Sequence, residues 1–499
     1  MMSGTFSWLG WSTPPFLKRS FRGLVFALAV LPLVAACATA PGTGRTIFTG
    51  GLSEAGEADL GRKEHPKVMA QFGGAYEDPE LNAYVSSVGN LLVQTSELPD
   101  LQFTFTILDT PVVNAFALPG GYVYLTRGLL ALAENEAEMA GVLAHEIGHV
   151  TARHSAERYG QTMAANVAGV GLGVLLGGQA AQAGGALGAL VVRSYSREQE
   201  FEADMLGGRY LGRARYDTGA MAGFLSQLQA HARLEAELAG QPEKADAFNI
   251  MQTHPRTADR INRALAQAGA NAVDDPIVAQ DIYFDKIDGL PYGDKPEEGF
   301  IRGRSFAHPI LKFTFEVPEG FRLYNQAQRV LALSGDRKAA IQFDRGPKDY
   351  RGSMTDYLTR SWGAKVQLTG VEAITINGLE AATGQLANAR NGDLRLLAIR
   401  YDASTIYRFI FQSASERTAS LNRPFRETTY SFRKLSDAEA AALKPHRVRI
   451  YQVKAGDSPS TIAARMPFAE ARLKRFLVLN GFDENVTLRS GQRVKIVSE

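Results

Sequence analysis

The sequence predicts a multidomain α+β protein, and three observations lead to this prediction. The chain has 499 residues, which at roughly 150 residues per domain suggests about three domains. Helical patterning dominates residues 61–272, whereas short alternating runs separated by turn signals dominate residues 301–440. The last segment, residues 446–499, has the order strand–helix–helix–strand. We therefore expect a mainly α-helical domain, an α+β domain built on an antiparallel sheet, and a small βααβ unit.

Composition excludes several classes of protein. Lysine and arginine number 54 and aspartate and glutamate 52, so the net charge of +2 indicates no nucleic-acid partner. Hydrophobic residues make up 45% of the chain, which is enough to bury real cores. The single cysteine excludes an intramolecular disulfide, a zinc ribbon and an iron–sulfur cluster.

The amino terminus has the pattern of an export signal. Lys18, Arg19 and Arg22 form a basic cluster, and an apolar stretch of about a dozen residues follows, too short to span a bilayer as a helix. This stretch ends in Val-Ala-Ala-Cys at Cys37, which resembles the lipobox of bacterial lipoproteins. We predict that residues 1–37 form a lipoprotein signal peptide and that Cys37 is lipidated, which would anchor the protein to a membrane. The alternative is an ordinary cleaved signal in which this cysteine is incidental.

The residues after Cys37 bear on location. By resemblance to enterobacterial sorting, Ala38 in place of aspartate favours the outer membrane, so we expect a bacterial periplasmic protein anchored there. Residues 38–60 are small, polar and rich in glycine, and we predict that they form a tether.

The helical domain, residues 61–272, carries the clearest element signals. The apolar spacing predicts a helix over 81–93, a strand over 101–108, a hairpin of strands 115–118 and 122–125, and helices over 136–158 and 217–267. Residues 159–192 have no charge and many glycines, which predicts two apolar helices packed in the domain or lying against a membrane. A single membrane-spanning helix is the alternative for this segment. Three prolines between residues 273 and 300 predict a linker.

The chemistry of the sequence centres on the HExxH motif at residues 145–149. Residues four apart lie on one face of a helix, so His145 and His149 can place two imidazole nitrogens on one zinc ion. Glu146 lies about 100° around the helix from His145, where it can take a proton from the attacking water. This combination predicts peptide hydrolysis with one zinc ion per chain.

A catalytic zinc needs a third protein ligand, and the residues alone leave several candidates. His154 comes five residues after His149, which is the wrong spacing for a ligand and predicts a surface histidine. His254 is available downstream, and three glutamates within residues 198–202 are nearly equal by spacing. Asp204 lies one turn after Glu200 and could accept the free N–H of a ligand histidine, whereas Glu202 points elsewhere and is expected to be solvated.

Four motifs in order resemble the HtpX-like and CAAX-prenyl-protease-like zinc metallopeptidases, a family of the zincin type. They are the hairpin Asn114–Tyr124, the HExxH motif, Glu200-x-x-x-Asp204, and His254-Pro255 followed by Arg260. The resemblance covers roughly residues 60–270. It implies that Glu200 is the third zinc ligand, that Asp204 supports the site, and that His254 and Arg260 face the cleft as catalytic residues.

The resemblance also suggests how a substrate binds. It implies that Asn114, Phe116 and Ala117 in the hairpin contact the substrate. One of the two hairpin strands could pair with an extended peptide, which favours unfolded polypeptides over compact ones. The alternative is that the hairpin merely packs on the motif helix. In some exported members of the family, which act in outer-membrane assembly, the downstream histidine holds the metal site latent, and His254 could do so here.

Residues 446–499 resemble a LysM unit. Their strand, two short helices and closing strand match that family over nearly its whole length, although Pro459 departs from the usual residue there. The resemblance implies binding of glycans that contain N-acetylglucosamine, such as peptidoglycan. The alternative is a spacer that no longer binds glycan. Residues 301–440 carry no cluster with an assignable reaction, so a binding or structural role is expected for them.

Together the sequence predicts a zinc metalloendopeptidase of the bacterial envelope. Its expected substrates are unfolded or misassembled envelope polypeptides, with a possible chaperone role. Two alternatives stay open: a peptidoglycan-binding scaffold or holdase with a latent metal site, and a hydrolase of peptidoglycan peptides.

Overall fold

The computed structural model describes residues 36–175, 194–247, 254, 257–326, 328–389 and 392–499. The basic and apolar parts of the predicted export signal therefore lie outside the described residues. So does the second half of the glycine-rich segment.

A helical domain occupies the first half of the described chain. Its elements are β1 (Cys37–Thr39), β2 (Thr46–Phe48), α1 (Glu54–Gln71), α2 (Pro79–Thr95), β3 (Thr104–Leu108), β4 (Ala115–Leu118), β5 (Tyr122–Thr126), α3 (Arg127–Leu132), α4 (Glu136–Thr151), α5 (His154–Leu175), α6 (Arg197–Arg213), α7 (Ala220–Leu238), a 3₁₀ helix (Pro242–Ala247), α8 (Thr257–Ala270) and α9 (Gln280–Ile287). The predicted strands and the helix over 81–93 are confirmed, with ends shifted by a few residues. The helical pattern over 136–158 instead divides into α4 and α5, and the pattern over 217–267 contains α7, the 3₁₀ helix and α8.

Helix starts follow from capping residues in the sequence. The side chains of Ser53, Asp78, Asn135 and Ser196 each accept a hydrogen bond from a backbone N–H in the first turn of α1, α2, α4 and α6. Such caps satisfy amide groups that have no partner inside the helix. The capping residue of α4 therefore fixes where the helix with the HExxH motif begins.

Helix α4 is the centre of the domain. Every residue from 137 to 149 is buried, as expected for a helix that is covered on all sides. It packs most closely on α6, and two glycines permit this. A Cβ atom on Gly148 would lie 2.9 Å from the carbonyl oxygen of Ala203, and one on Gly207 would lie 3.0 Å from the amide nitrogen of His145. The two backbones thus approach closely where the motif residues lie.

A three-stranded sheet borders α4. Its order is β3-β5-β4, with β5 parallel to β3 and antiparallel to β4. Because β5 is paired on both sides, the predicted hairpin can offer only β4 as an edge. The side chains of β4 alternate between two clusters: Ala115 and Ala117 pack toward α4, whereas Phe116 and Leu118 pack toward α1.

The segment after Cys37 is folded, contrary to the predicted tether. Strands β1 and β2 pair from Cys37↔Phe48 to Thr39↔Thr46, and we call residues 37–48 the N-terminal hairpin. Ile47 is buried, and the backbone N–H of Gly42 donates to the carbonyl of Thr151 at the end of α4. The tether prediction is wrong because small polar residues also suit a chain that must lie flat against two helices.

A sheet domain follows, as predicted. Its elements and those that connect it are β6 (Pro291–Tyr292), β7 (Phe300–Arg302), β8 (Ser305–His308), β9 (Phe313–Glu316), β10 (Phe321–Gln326), β11 (Arg329–Ser334), β12 (Ala339–Arg345), a helical segment (Met354–Asp356, Tyr357–Trp362), β13 (Thr369–Ile376), β14 (Leu379–Ala389), β15 (Gly392–Arg400), β16 (Ile406–Ser413), α10 (Thr418–Ser431), β17 (Arg433–Lys434) and α11 (Asp437–Ala442). The main sheet is antiparallel, in the order β10-β11-β12-β16-β15-β14-β13.

Aromatic residues fill the core between this sheet and the smaller sheet β17-β9-β8-β7. Phe313, Phe315, Phe343 and Phe409 are buried there and contact one another. Asn377-Gly378 forms the turn between β13 and β14 with positive φ at both positions, as the Asn-Gly signal predicts.

The C-terminal unit has the expected strand–helix–helix–strand order. It contains β18 (His446–Gln452), α12 (Pro459–Ala463), α13 (Arg472–Leu479) and β19 (Arg493–Ser498), and β18 pairs with both β19 and β6. Strand β6 lies within residues 273–300, for which we predicted a linker. That segment is instead packed: Tyr283, Phe284 and Ile287 on α9 are buried in the core of the helical domain. The linker prediction is wrong because these apolar side chains pack into the core, although the segment also contains prolines.

A buried lysine joins the C-terminal unit to the helical domain. Lys495 has no exposed side-chain surface, and its ammonium donates to the carbonyls of Ala131, Leu132 and Ala133 at 3.1, 2.7 and 2.7 Å. It also pairs with Glu134 at 2.8 Å. Burial lowers the pKa of this ammonium, and the neighbouring carboxylate opposes the shift. The unit is therefore docked rather than tethered.

No helix among the described residues is long and apolar enough to cross a membrane.

We predict that Lys495→Met lowers the free energy of unfolding by about 3 kcal/mol, because it leaves Glu134 and three carbonyls buried without their partner. The matched control is Lys474→Met, since Lys474 pairs with Glu237 at an exposed site of the same interface. The control should change stability by less than about 1 kcal/mol. Urea unfolding measures both values, and equal effects of the two substitutions would contradict the role assigned to Lys495.

Candidate metal centre

Helix α4 presents two histidines to one point. The Nε2 atoms of His145 and His149 lie 3.0 Å apart, although both rings are buried. Their ring planes are nearly perpendicular, at 87°. Two unprotonated nitrogens so close together repel each other unless a proton or a cation lies between them. The arrangement of α4 therefore favours a bound cation.

Helix α6 supplies a carboxylate to the same point. The oxygens of Glu200 lie 3.6 Å from His145 Nε2 and 3.5 Å from His149 Nε2. Burial alone would raise the pKa of Glu200, but His254, Arg260 and His149 hold the pKa well below its usual range. This carboxylate is therefore ionised, as a metal ligand must be.

His254 completes a four-donor set with His145, His149 and Glu200. Its Nδ1 atom lies 3.3 Å from His145 Nε2 and 3.0 Å from Glu200 Oε1. A tetrahedral ion with donor distances of about 2.1 Å, as zinc has, requires donors about 3.4 Å apart. The observed separations lie close to this value, so the residues fit a tetrahedral divalent metal.

His145 is oriented from behind by an ion pair. Its Nδ1–H donates to Asp204 Oδ1 at 2.9 Å, which leaves Nε2 free for a metal. Arg260 donates to both oxygens of Asp204 at 2.7 Å and contacts Glu200 Oε2 at 2.7 Å. Arg260 is itself buried beside these carboxylates. Its guanidinium holds the pKa of Asp204 below its usual range despite burial.

His149 is supported by residues that the spacing argument dismissed. His154 is fully buried rather than on the surface, and its Nδ1 lies 2.7 Å from His149 Nδ1. Glu202, predicted to be solvated, contacts His154 Nε2 at 3.2 Å and is largely covered. Tyr195 stacks on His149 with ring centroids 3.8 Å apart. Linear spacing failed here because His154 lies beyond the end of α4, at the start of another helix.

Glu146 lies beside the donor set without belonging to it. Its side chain is buried, and its Oε2 has no hydrogen-bond partner among the described residues. His254 Nε2 approaches its Oε1 at 3.6 Å. Burial raises the pKa of Glu146, although His254 and His145 oppose the shift. A buried carboxyl with a free oxygen and a raised pKa can exchange a proton with a small molecule placed beside it.

An apolar pocket adjoins the site, and sequence reasoning did not find it. It lies between α4 and α7, and its cavity volume is about 30 Å³. Met221, Phe224, Leu225 and Leu228 line it opposite the metal-site residues. Apolar side chains at helical spacing on α7 do not reveal whether they face a core or a cleft.

The predicted substrate-binding residues and Cys37 do not belong to the donor set. Phe116 packs on Phe72 and Tyr124, so its side chain faces away from α4 and can act only through its backbone. Asn114 and Ala117 are buried at the start and middle of the same strand region. Cys37 is exposed at the start of β1.

Comparison with known proteins agrees with the motif order. Residues 79–268 match the model of peptidase family M48. These residues form an M48 peptidase domain. Residues 451–497 match the LysM domain, so the predicted LysM-like unit is confirmed as well.

The chain is similar over part of its length to bacterial and mitochondrial proteases. Beta-barrel assembly-enhancing protease of Escherichia coli (strain K12) is 37% identical over 201 residues, covering 38% of this chain and 39% of the relative. The Yersinia pestis protein of that name is 34% identical over 220 residues, covering 42% and 43%. Mitochondrial metalloendopeptidase OMA1 of Schizosaccharomyces pombe is 33% identical over 216 residues, covering 42% and 59%. The chain thus spans less than two thirds of each relative.

The support behind His145 gives a test of the M48 site. We predict that Asp204→Ala lowers metal affinity by about 10- to 100-fold, because the Nδ1–H of His145 loses its acceptor and Arg260 loses its bidentate partner. Glu198→Ala is the control, since Glu198 is exposed on the same helix. Competition with a chromogenic chelator measures both affinities. Equal affinities for the two variants would show that Asp204 does not support the metal.

Proposed function

We propose that the protein is a zinc-dependent metalloendopeptidase of the bacterial cell envelope. The observation that carries the proposal is the buried convergence of His145, His149 and Glu200 beside the free carboxyl oxygen of Glu146. Two imidazoles and one carboxylate form the ligand set of known catalytic zinc sites, which leaves a fourth position for chemistry.

The residues of the chain divide the work of hydrolysis. Bound zinc would supply a Lewis acid that polarises the scissile carbonyl and activates water. Glu146 can accept the proton of the attacking water and return it to the leaving amine. Asp204 keeps His145 in the tautomer that leaves Nε2 free. Arg260 lines the same pocket, where its positive charge favours developing negative charge on the substrate.

His254 gives the site a latent form. Its Nδ1 occupies the fourth position of the donor set, which water and substrate need. Its Nδ1 also lies 3.0 Å from Glu200 Oε1, and its Nε2 lies 3.6 Å from Glu146 Oε1. The imidazole therefore lies beside the carboxylates of Glu200 and Glu146 as well as within the donor set. We infer that His254 must leave before peptides are cleaved.

The surroundings of the site suit extended, apolar peptides. The edge of β4 beyond β5 can pair with a substrate backbone, and the pocket lined by Met221, Phe224 and Leu228 offers an apolar surface to a substrate side chain. Unfolded or misassembled proteins expose both features, whereas compact proteins hide them. These are the substrates we propose, with chaperone activity on the same polypeptides as a corollary.

Location in the envelope rests on three supports. The sequence before Cys37 resembles a lipoprotein signal, which would lipidate this residue and anchor the chain to the outer membrane from the periplasmic side. The LysM domain suggests contact with peptidoglycan. The bacterial relatives are named for beta-barrel assembly, and we extend envelope protein quality control to this chain on that basis.

A second candidate function is a peptidoglycan-binding scaffold or holdase with a latent metal site. The occupation of the fourth donor position by His254 favours it, because a site closed by a protein ligand does not turn over. The scaffold needs the LysM domain but not Glu146. Substitution of Glu146 therefore distinguishes the two functions, because only the peptidase needs this residue. A third candidate is a hydrolase of peptidoglycan peptides. It differs from the proposed peptidase in its substrate.

We expect purified residues 38–499 to bind one zinc ion and to cleave casein. Glu146→Gln should bind zinc equally but lose cleavage, because the amide cannot accept the proton of water. Metal analysis and casein digestion check both statements. Zinc binding without cleavage by either protein would favour the scaffold, and digestion of muropeptides but not casein would favour the third alternative. A folded preparation without zinc would overturn the proposal.

We expect His254→Ala to raise the initial rate of casein cleavage, because it opens the fourth position while His145, His149 and Glu200 remain. The zinc content should stay at one per chain, which separates release of latency from loss of the site. An unchanged or lower rate at full zinc content would show that His254 serves catalysis rather than latency.

A further inference from the structure

A chain of hydrogen bonds leads from a metal-site histidine to the N-terminal hairpin. His149 Nδ1 and His154 Nδ1 lie 2.7 Å apart, and His154 Nε2 lies 3.2 Å from Glu202 Oε2. Thr43 Oγ1 donates to Glu202 Oε1 at 2.6 Å, and Arg45 contacts Glu202 Oε2 at 3.1 Å. Neither Thr43 nor Arg45 touches a metal-site residue directly.

The tautomers along this chain follow from the geometry. If His149 binds a metal through Nε2, it carries its proton on Nδ1 and donates to His154 Nδ1. His154 then carries its proton on Nε2 and donates to the carboxylate of Glu202. Every step thus has one donor and one acceptor. The Glu202 carboxylate fixes the direction of the whole chain, because it can only accept.

The position of Glu202 depends on the N-terminal hairpin. Arg45 joins two carboxylates, since its Nη1 and Nη2 also donate to Glu157 of α5 at 2.9 Å each. Gln199 of α6 also donates to the Glu157 carboxylate, at 2.8 Å. The hairpin itself is held by the bond from Gly42 N–H to Thr151 and by a contact of Arg209 with the carbonyl of Gly42.

The two ligand histidines of α4 therefore have different kinds of support. His145 donates directly to Asp204, whose partner Arg260 is buried in the same domain core. On its Nδ1 side, His149 reaches a carboxylate through His154, and two hairpin residues hold that carboxylate. Support for His145 is local, whereas support for His149 depends on a segment that begins at Cys37.

We propose that His154 and Glu202 are positioning residues for the metal ligand His149, and that Thr43 and Arg45 make their alignment depend on docking of the N-terminal hairpin. Release of the hairpin then loosens one metal ligand without touching the other two. This inference rests on the metal site of the proposed function but not on peptidase activity, so it is tested by metal affinity.

The first test compares metal affinity in the full chain. Glu202→Ala should lower the affinity for Co²⁺ and Zn²⁺ by about 10- to 100-fold in chelator competition, as loss of a carboxylate behind a ligand histidine does elsewhere. The visible spectrum of the Co²⁺ form should change as well, because the geometry around His149 relaxes. Glu202→Gln retains an oxygen acceptor for His154 and should recover most of the affinity.

The second test asks whether the hairpin acts through Glu202. Thr43→Val and Arg45→Met should each lower metal affinity, by less than Glu202→Ala. Combined with Glu202→Ala, neither should lower it further. The matched control is Arg62→Met, because Arg62 is an exposed arginine that pairs with Asp59 within α1 and lies outside the chain of hydrogen bonds. Thermal unfolding of the metal-free proteins reports any general loss of stability.

Several outcomes would overturn the inference. Unchanged metal affinity in Glu202→Ala or in Thr43→Val would remove the positioning role, and the near-isosteric valine variant keeps the test valid if the alanine variant does not fold. Additive losses in the double variants would show that the hairpin acts through general stability. Wild-type protein that binds metal without cleaving casein would favour the scaffold over the peptidase and leave this comparison intact.

Discussion

The close approach of α4 and α6 is the constraint on which the site depends. Glycines at 148 and 207 remove the side chains that would separate the two backbones, and the carbonyl of Ala203 lies where a Cβ on Gly148 would need room. A helix pair kept farther apart by ordinary side chains could not place a carboxylate of α6 within 4 Å of both histidines of α4. The metal-binding geometry is therefore a consequence of helix packing before it is a matter of ligand identity.

Buried charge is the second constraint, and it follows from the first. Packing the helices so closely buries the carboxylates of Glu146, Glu200 and Asp204 with the single guanidinium of Arg260. Uncompensated charges inside a protein are costly, and a divalent cation supplies the positive charge that the arginine alone does not. The metal is thus part of the electrostatic balance of the folded domain. Burial raises the pKa of Glu146, which reflects the same cost of buried charge.

The sequence predicted most of what depends on local pattern. The HExxH motif, the Glu200–Asp204 spacing and the βααβ order of the C-terminal unit are periodic or short-range signals, and all reappear in the structure. Long-range pairing was beyond reach, because nothing in the spacing indicates that Thr43 would meet Glu202 or that Lys495 would meet Ala131. Composition misled in two segments.

In both segments the misleading feature was the use of small or rigid residues as evidence for a flexible chain. Glycines in residues 38–60 and prolines in residues 273–300 predicted connectors, yet both segments are packed. Glycine allows close approach as readily as freedom, and only the surrounding surface decides between them. His154 shows the same limit, since a residue just past a helix end can turn back onto the face that the motif occupies.

The docked LysM domain changes what attachment to a cell wall would mean for this molecule. A binding module on a flexible linker lets an enzyme sample all positions within reach, and the linker length alone sets that reach. Here Lys495 and strand β6 fix the LysM domain to the helical domain. A glycan strand bound to the LysM domain would therefore also fix the orientation of the metal-site cleft. If Cys37 carries the proposed lipid anchor, a glycan-bound LysM domain would also fix the distance that the protein can span between wall and membrane.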